Sequence, residues 1–441
     1  MRPLHFLVSC SVAIVFTNCS NGEVSGSEKS GTTLAAGETS DSSGISYDPG
    51  NGSISLPDDF KAVVMADKLG RVRHIDVDEH GVVYARLGSD VGGKGLVMLK
   101  DDDGDGVADE KQYFGTGNGT GIKIWNNFLY YTTNNEVFRK AFKSGEALPS
   151  GEPELMVTLP KQYQHEAKSI ALDEKGNLYV NIGAPSNTCQ DPDRQPGVKG
   201  QDPCPLLEKS GGIWRFSATI PDQEFKDGTR YATGIRNAVG ISWNKATNTL
   251  YAMQHGRDQL HSHWPDLYTE EESAELPAEE MFEIQEGDDF GWPYCYYDQQ
   301  RKQKLLNPEY GGDKQKVGRC AQKEDPIMAF PGHWAPNAIT FYNAEKFPAR
   351  YKGGAFIAFH GSWNRAPLPQ QGYKVVFVPF ANGKPLGEYE DFATGFPNDG
   401  GVVENPSDAE YRPCGLAVGA DGSLYISDSV RGRIWRVVYT G

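Results

Sequence analysis

The stretch Leu416-Ala417-Val418-Gly419-Ala420-Asp421-Gly422-Ser423-Leu424-Tyr425-Ile426 decides the fold. Two short apolar runs flank a polar Asp-Gly turn, a pattern that predicts two antiparallel strands joined by a tight turn. The same pattern recurs at five other places, twice closely and three times more loosely. The copies cover residues 75–85, 122–131, 170–180, 241–252 and 339–358. A unit repeated in this way indicates a fold built from equivalent small sheets.

Each copy is followed by a third run of apolar and aromatic residues, which predicts a third strand. The six third runs are residues 96–99, 137–140, 213–216, 281–284, 375–378 and 434–437. Small twisted sheets cannot bury both faces alone, but they bury one another when packed radially. We therefore predict an all-β, six-bladed β-propeller with large loop insertions, closed by residues 60–65 beside the last blade. A β-sandwich, the alternative, does not explain a repeated three-strand unit.

Two large insertions interrupt the repeat, after Gly183 and after Gly256. Because the loops at one end of a propeller channel converge, we expect these insertions to form walls around the channel mouth. Helix is expected only within residues 270–280, inside the insertion at 257–333. The 51 glycines agree with the many tight turns that this fold requires.

The amino-terminal residues predict that the protein is exported. Residues 1–18 are typical of an export signal, because Arg2 precedes an apolar stretch too short to span a membrane. Cys19 lies where bacterial lipoproteins carry an acylated cysteine, so a lipid anchor and plain cleavage both stay open. Residues 19–55 predict a flexible Ser/Gly-rich tether, and residues 56–441 the propeller domain. We expect an exported protein, periplasmic or an outer-membrane lipoprotein, or otherwise secreted.

The formal net charge of −16 argues against a nucleic-acid partner, since phosphate binding requires a basic surface. It also argues against docking on anionic lipid through a basic patch, so any membrane contact is expected only through the lipid anchor.

The cysteines agree with an oxidising compartment. Cys189 with Cys204, and Cys295 with Cys320, would each close a polar loop as a disulfide. Cys414, between Pro413 and Gly415, is expected to be buried and free. The sequence contains no Cys-x-x-Cys-His motif, which excludes a covalently attached c-type haem.

An acidic stretch from residue 101 to 112 predicts a calcium loop. Oxygen ligands at alternate positions, with Gly106 at the sharp turn, match the first part of such a loop, although position twelve is glutamine. The alternative is a solvated acidic loop. We expect this loop to join two blades and to have a structural role. The predicted ligands are Asp101, Asp103, Asp105, Val107 through its carbonyl, Asp109 and Gln112.

A second calcium is predicted beside the channel, where His255-Gly256-Arg257-Asp258 follows a strand. Exposed carbonyls at a glycine turn, together with the carboxylate of Asp258, are the oxygen ligands that calcium prefers.

Four residues at blade entrances are candidates for chemistry. His165 precedes a strand, and an imidazole there can act as a general base on a hydroxyl group. Arg236, Arg365 and Arg412 occupy comparable places in three later blades. Gathered at one mouth, their guanidinium groups would bind an anionic ligand. The alternative is an unremarkable loop histidine and arginines that pair with acids of neighbouring blades.

Several short motifs, in their order along the chain, resemble the pyrroloquinoline quinone (PQQ)-dependent sugar dehydrogenases, most closely the L-sorbosone dehydrogenase-like branch. The resemblance covers about residues 56–441. Its motifs are Asp103-Gly104-Asp105-Gly106, His165, Gly234-Ile235-Arg236-Asn237, Gly256-Arg257-Asp258, Phe290-Gly291-Trp292-Pro293, His333-Trp334-Ala335-Pro336, His360-Gly361-Ser362-Trp363, Arg412-Pro413 and Asp421-Gly422-Ser423-Leu424-Tyr425.

The resemblance implies an enzyme that oxidises a sugar, an aldose, a sorbosone-like compound or a polyol by hydride transfer to PQQ, with an external electron acceptor. It makes His165 the base, and it makes Arg236 the residue that stabilises negative charge on the quinone. Asn237 would help to seat the quinone, and Arg365 and Arg412 would bind its carboxylates. The backbone oxygens of Gly256 and Arg257 would hold a calcium ion that polarises the reactive carbonyl.

The chain departs from the soluble glucose dehydrogenase branch at two positions. Val239 stands where that branch has a glutamine, and Ala184 stands where it has an acid. The orienting partner of His165 is therefore unidentified, and glucose is not assumed as substrate. Two rival hypotheses remain. One is a calcium-dependent lactone hydrolase, which needs converging carboxylates; the other is a non-catalytic binding propeller, which need not keep the histidine and arginines together.

Overall fold

The computed structural model describes residues 44–397 and 402–441. The predicted export signal, Cys19 and the first part of the predicted tether lie outside the described residues. Within the described ranges, no helix has the length and apolar character needed to cross a membrane.

Six sheets in the described residues each contain four antiparallel strands, and these sheets are the six blades of the predicted propeller. Blade 1 comprises Val72–Val77, Val83–Val91, Lys94–Lys100 and Glu110–Phe114. Blade 2 comprises Ile122–Trp125, Phe128–Thr132, Glu136–Ala141 and Ser150–Thr158, with Gln223–Glu224 added in parallel outside. Blade 3 comprises Ile170–Leu172, Asn177–Ile182, Gly212–Ser217 and Thr229–Thr233.

The second half of the ring follows the same plan. Blade 4 comprises Ala238–Asn244, Thr249–Gln254, Glu279–Ile284 and Met328–Phe330. Blade 5 comprises Pro336–Phe341, Ala355–Phe359, Lys374–Val378 and Glu390–Ala393. Blade 6 comprises Pro413–Val418, Leu424–Asp428, Ile434–Tyr439 and Phe60–Ala66. All six predicted repeat units lie in these strands, so the predicted fold class is confirmed.

The remaining elements are short. Two extra hairpins pair Cys295–Asp298 with Gln303–Leu306 and Phe380–Ala381 with Lys384–Pro385. The α-helices are Leu260–His263 and Glu270–Glu275. The 3-10 helices are Pro49–Ser53, Pro205–Glu208, Phe225–Asp227, Pro308–Tyr310, Gly318–Gln322, Ala349–Tyr351 and Pro406–Asp408. The predicted helical stretch at 270–280 thus ends at Glu275, because the chain must extend again to enter blade 4 at Glu279.

The amino-terminal strand closes the ring. Phe60–Ala66 pairs antiparallel with Ile434–Tyr439, which confirms the predicted closing strand. Its residue Phe60 packs among aromatic rings of blades 5 and 6, and Trp435 is fully buried in the same cluster. Each large apolar side chain buried in this way contributes about 1.5–3 kcal/mol. Burial between neighbouring blades therefore supplies the main force that holds the ring together.

The ordered domain begins earlier than the sequence predicts. Residues 44–55 were assigned to the flexible tether, but Ile45 and Ile54 are buried. The carboxylate of Asp48 accepts a hydrogen bond from the backbone N–H of Val64, at 2.5 Å, and the side chain of Asn51 accepts one from Ala62, at 3.0 Å. Two buried isoleucines and two side-chain acceptors thus hold this segment against the closing strand. The Ser/Gly-rich composition does not predict this packing.

Antiparallel pairing determines which residues meet at each end of the channel. The first strand of a blade starts at the same edge at which the second strand ends, as for Ala238 opposite Gln254. The same register occurs at Pro336 opposite Phe359 and at Pro413 opposite Asp428. We call this edge the mouth. Every predicted catalytic or quinone-binding residue lies in the connections at this edge.

The opposite end of the channel, where the first strands finish, opens into a cavity of about 1440 Å³. Its lining includes Trp125, Trp243 and Phe341 from three blades. Among the predicted site residues only Gln112 lines it, so this cavity is separate from the candidate site.

Three segments form one wall beside the mouth: residues 184–211, 255–278 and 285–327. The predicted disulfides are both present, Cys189–Cys204 in the first segment and Cys295–Cys320 in the third, and Cys414 is free and buried as predicted. The indole nitrogen of Trp292 donates to the carbonyl of Asn187, at 2.8 Å, and joins the two disulfide-bonded segments. The insertions after Gly183 and Gly256 thus lie beside the mouth, as predicted.

Candidate active site at the channel mouth

His165 lies at the entrance to blade 3, with its backbone in the left-handed region at φ 49°. Its Nδ1 pairs with the carbonyl oxygen of Ala184. Because a carbonyl only accepts, Nδ1 carries the proton and Nε2 keeps its lone pair. Burial lowers the pKa of His165 to about 3, and the charge of Arg236 adds to this effect. The imidazole is therefore neutral at neutral pH, as a general base must be.

The loop that carries His165 is held by Gln162, which the sequence analysis missed. The side-chain nitrogen of Gln162 donates to the carbonyls of Gln164, His165 and Gly183, at 2.7, 2.9 and 2.8 Å. Gly183 must be glycine, because a Cβ there would lie 2.7 Å from that of His165 and 2.6 Å from the amide oxygen of Asn237. This close approach places His165 next to the entrance of blade 4.

Asn237 is buried at that entrance. Its amide oxygen accepts a hydrogen bond from Asn181, at 3.2 Å, and the oxygen of Asn181 accepts one from the backbone N–H of Ala238, at 3.1 Å. Blades 3 and 4 are thus joined directly behind the predicted base.

Arg236 and Asp258 form a buried ion pair at the centre of the mouth. The guanidinium donates to the Asp258 carboxylate and to the Gly256 carbonyl, both at 2.8 Å. Arg194 and Asn364 donate to the same carboxylate, at 3.0 and 2.9 Å. Burial alone would raise the pKa of Asp258, but the neighbouring cations outweigh it and hold the pKa well below the usual range. Asp258 is therefore a permanent anion that joins blade 4, blade 5 and the wall.

These contacts reduce the number of oxygen ligands that are free at the predicted channel calcium site. The carboxylate of Asp258, a predicted ligand, is occupied by Arg236, Arg194 and Asn364. The side chain of Arg257 points into the wall, where it pairs with the fully buried Glu309 at 2.6 Å. The backbone oxygens of Gly256 and Arg257 remain as ligands for calcium. The Gly256 carbonyl has two lone pairs, and the hydrogen bond from Arg236 occupies one of them.

Glu279 supports this turn from behind. Its carboxylate accepts the backbone N–H of Gly256, at 2.8 Å, and that of Ala335, at 3.1 Å. Burial raises the pKa of Glu279 to about 8. At neutral pH the group is therefore mostly protonated. Through its two hydrogen bonds the carboxyl group links the glycine turn after blade 4's second strand to the entrance of blade 5.

Arg412 stands at the entrance to blade 6, and Arg71 and Arg73 at the entrance to blade 1. Arg412 donates to the carbonyls of His360 and Gly361, at 2.9 and 2.6 Å. Burial lowers the pKa of His360 well below its usual value, and the charges of Arg412, Arg73 and Arg71 lower it further. Three arginines thus lie around one half-buried imidazole. The sequence predicted a cationic mouth but identified only Arg412 of these three.

Arg365 lies away from this group of arginines. It is fully buried in the wall, where it donates to the carbonyls of Ala274 and Gly332, at 2.8 and 3.1 Å, and pairs with Glu275. Its Nε donates to the carbonyl of Pro369, at 3.3 Å. Four of its donors are therefore engaged within the protein, and in this structure the residue anchors the helix Glu270–Glu275. Arg365 follows the second strand of blade 5, whereas Arg236 and Arg412 precede the first strands of blades 4 and 6, so the prediction that these arginines occupy comparable places is wrong.

The acidic loop at 101–109 joins the two outer strands of blade 1, which corrects the prediction that it joins two blades. It packs against blade 6 instead, through Arg436, whose guanidinium is 3.3 Å from the Asp101 carboxylate. The carboxylate oxygens of Asp101, Asp103 and Asp109 lie within 4.8 Å of one another. Asp105 caps the backbone N–H of Val107, at 2.7 Å, and Gln112 pairs with Met98 within the sheet. Three of the six predicted ligands therefore gather at one point.

The arrangement at the mouth suits an anionic ligand beside a base. Among the described residues, the Nε of Arg236 is buried without a hydrogen-bond partner. A donor in this state is costly unless a ligand accepts from it. Together with Arg412, Arg71 and Arg73, this orphaned donor fits a flat, carboxylated molecule. The fold and site therefore define a six-bladed propeller with a cationic channel mouth and a neutral histidine, His165, beside Arg236.

The sequence profile of the TrAA12-like family matches residues 54–440. The chain belongs to this family.

Known relatives agree with the fold. The PQQ-dependent pyranose dehydrogenase of Coprinopsis cinerea is 28% identical over 325 residues, which cover 64% of this chain and 40% of that protein. The match thus spans less than half of that relative. The holo form of the PQQ domain of the Coprinopsis cinerea pyranose dehydrogenase gives a TM-score of 0.68 at 19% identity, with 87% of this chain and 97% of that chain covered.

A second solved structure, the calcium structure of a Trichoderma reesei carbohydrate-active enzyme of family AA12, gives a TM-score of 0.70 at 18% identity. It covers 92% of this chain and 99% of that chain. At these identities the structural likenesses establish the fold alone.

Proposed function

We propose that this protein is a PQQ-dependent oxidoreductase that oxidises a CH–OH group of a sugar. The single observation that carries the proposal is the convergence of a neutral imidazole, His165, with the buried guanidinium of Arg236 at one mouth. The relatives named above supply the cofactor and the class of substrate. The narrower likeness to the sorbosone branch, and aldoses or polyols as substrates, remain predictions.

The residues at the mouth fit PQQ, which carries three carboxylates. Arg236 has a free buried donor, and Arg412 with Arg71 and Arg73 provides positive charge for the carboxylates. Asn237 lies beside Arg236 and would help to seat the ring system. Arg365 was predicted to bind a carboxylate directly. Its contacts instead favour a supporting role, in which it holds the wall. When bound, PQQ supplies an acceptor for a hydride equivalent.

The chain's own groups then have defined tasks. The Nε2 of His165 takes the proton of the substrate hydroxyl, while Ala184 holds the tautomer through Nδ1. Arg236 stabilises negative charge that develops beside it, and Asp258 keeps the guanidinium in place. The backbone oxygens of Gly256 and Arg257 would hold calcium, which supplies Lewis acidity at the mouth. The three wall segments exclude water from one side.

The proposed setting is extracytoplasmic. An export signal at residues 1–18 and two disulfides agree with an oxidising compartment, and Cys19 would be the site of a lipid anchor. Electrons would leave through an external acceptor. The lactone hydrolase alternative needs carboxylates at the channel, whereas in the described ranges the one group of three acids that fits a metal lies on the outer edge of blade 1.

Reconstitution tests the proposal. PQQ-free protein should gain dye-reducing activity when PQQ, calcium and a panel of aldoses, sorbosone and polyols are added together. PQQ should also raise the melting temperature, because a ligand that binds only the folded state stabilises it. If PQQ produces neither turnover nor a thermal shift, the protein is a binding propeller and the proposal is wrong.

Removal of calcium from the loop at 101–109 should lower the stability of the fold. Chelation should lower the melting temperature of the PQQ-free protein, because bound calcium offsets the repulsion between Asp101, Asp103 and Asp109. In Asp103→Asn the effect of chelation should shrink, and the matched variant Asp102→Asn should behave like the parent. Calorimetry with added calcium checks this. An equal thermal shift in Asp103→Asn and the parent would contradict calcium binding at this loop.

A further inference from the structure

Asn181 is fully buried between blades 3 and 4, and two backbone groups fix the orientation of its side-chain amide. The backbone N–H of Ala238 lies 3.1 Å from the Oδ1 of Asn181, and an N–H group can only donate. The carbonyl oxygen of Ala167 lies 3.3 Å from the Nδ2, and a carbonyl can only accept. The amide oxygen of Asn181 therefore faces blade 4, and its NH2 group faces the entrance of blade 3.

The NH2 group of Asn181 in turn determines the orientation of the neighbouring amide, that of Asn237. The same Nδ2 donates to the Oδ1 of Asn237, at 3.2 Å. Because the amide of Asn181 cannot turn, the atom of Asn237 that faces it must be an acceptor, its oxygen. Gly183 packs closely against this oxygen, since a Cβ there would lie 2.6 Å from it. The NH2 group of Asn237 therefore points away from blade 3.

This NH2 group is a free hydrogen-bond donor at the mouth. Within residues 44–397 and 402–441, no group of the protein accepts from the Nδ2 of Asn237. The side chain has 4% of its surface accessible, and its Nδ2 is not fully enclosed. The preceding residue, Arg236, also leaves one donor without a partner, its Nε. Two consecutive residues thus present free donors, which suits a ligand whose oxygen atoms only accept.

We propose that Asn181 is a positioning residue for the quinone, because it turns the amide of Asn237 so that a donor, and not an acceptor, faces the mouth. The quinone and carboxylate oxygens of PQQ accept hydrogen bonds, and an amide oxygen turned toward them would repel them. A fixed amide also avoids the entropic cost of ordering the side chain when the ligand binds. The inference rests on the proposed function for the identity of the ligand.

A double-mutant cycle separates this role from a structural role in joining the two blades. PQQ affinity would be measured by calorimetry, in the presence of calcium, for the parent, Asn181→Leu, Asn237→Ala and the double variant. Leucine has a similar volume but forms no hydrogen bond, so Asn181→Leu should bind PQQ about tenfold more weakly, a difference of about 1.4 kcal/mol. In the Asn237→Ala background the same change should have no further effect, because Asn181 acts through Asn237.

A buried asparagine at the opposite end of the channel provides the matched control. Asn244 accepts the backbone N–H of Ala246 through its side-chain oxygen, at 3.0 Å. Asn244→Leu removes a comparable buried hydrogen bond, so its melting temperature should fall. Its PQQ affinity should equal that of the parent.

Neutron diffraction of the PQQ-free parent tests the orientation directly, because deuterium positions distinguish an NH2 group from an oxygen. The NH2 group of Asn237 should point away from Asn181. This measurement requires neither a variant that folds nor a bound ligand.

Three results overturn the inference. The first is an NH2 group of Asn237 that faces Asn181, and the second is unchanged PQQ affinity in folded Asn181→Leu. The third is an equal loss of affinity on Asn181→Leu with and without the side chain of Asn237. A parent that binds no PQQ rejects the proposed function instead, and neutron diffraction still decides the orientation of Asn237 separately.

Discussion

His165→Gln should lower kcat about 10²- to 10⁴-fold, the usual contribution of a general base. Glutamine keeps a donor near Ala184 but has no lone pair basic enough to take a hydroxyl proton. Binding of PQQ should change little, because His165 is assigned to the substrate's proton. Steady-state dye reduction measures the loss, and calorimetry with PQQ checks that binding remains. The matched variant His80→Gln, at an exposed histidine at the opposite end of the channel, should be as active as the parent.

The pH dependence gives a second test of the same residue. Burial lowers the pKa of His165 to about 3, so the base stays unprotonated well below its ordinary pKa of 6.5. The acid limb that this group imposes on kcat/KM should therefore lie near pH 3 instead of pH 6.5. The free energy of unfolding also depends on this group. Below pH 6.5 the unfolded chain binds a proton at His165 that the folded protein does not bind, so stability decreases as the pH is lowered from 6.5 toward 3. An acid limb at pH 6.5 that disappears in His165→Gln would contradict the lowered pKa of His165.

Arg236→Met should lower kcat about 10²- to 10³-fold, as expected when one donor to developing negative charge is removed. It should also destabilise the fold by about 1.5–3 kcal/mol, since Asp258 loses a charged hydrogen-bond partner while buried. PQQ affinity should fall as well, because the orphaned Nε is assigned to the cofactor. Activity, PQQ calorimetry and urea unfolding measure the three effects.

Two comparisons separate charge from geometry at Arg236. Arg236→Lys keeps the positive charge next to Asp258 but cannot reach both Asp258 and Gly256, so stability should recover more than activity. Arg350→Met removes an exposed guanidinium paired with Glu390 on blade 5 and should affect neither. If Arg236→Lys is fully active, the planar fork has no catalytic role.

The blades could be predicted because their strands have a local signature: apolar runs such as 170–172 and 178–180 around an Asp-Gly type of turn appear in the sequence itself. The packed segment 44–55 could not, since its two buried isoleucines stand among serines and glycines. Its order comes from contacts of Asp48 and Asn51 with a strand whose position depends on the closed ring.

Part of the site could be predicted because the repeat shows where each blade begins. His165, Arg236 and Arg412 stand at blade entrances, which the repeat places at one end of the channel. The partner of His165 is a backbone carbonyl, which no residue type reveals. Arg365 lies instead between the second and third strands of blade 5, where the wall helix Glu270–Glu275 offers it acceptors. Arg194 contacts Asp258 from 64 residues away along the chain, and only the fold brings it to the mouth.

The pairing of Phe60–Ala66 with Ile434–Tyr439 has a consequence for how the chain is made and folded. Contacts between such distant segments form late and slowly, because most of the polypeptide must first be confined into one loop. A chain still emerging from the ribosome lacks its last three strands of blade 6 and cannot complete the circle. Such a polypeptide stays open during synthesis, a state that would suit passage through a translocation pore in the proposed exported setting, and it gains its full stability only when the ring closes.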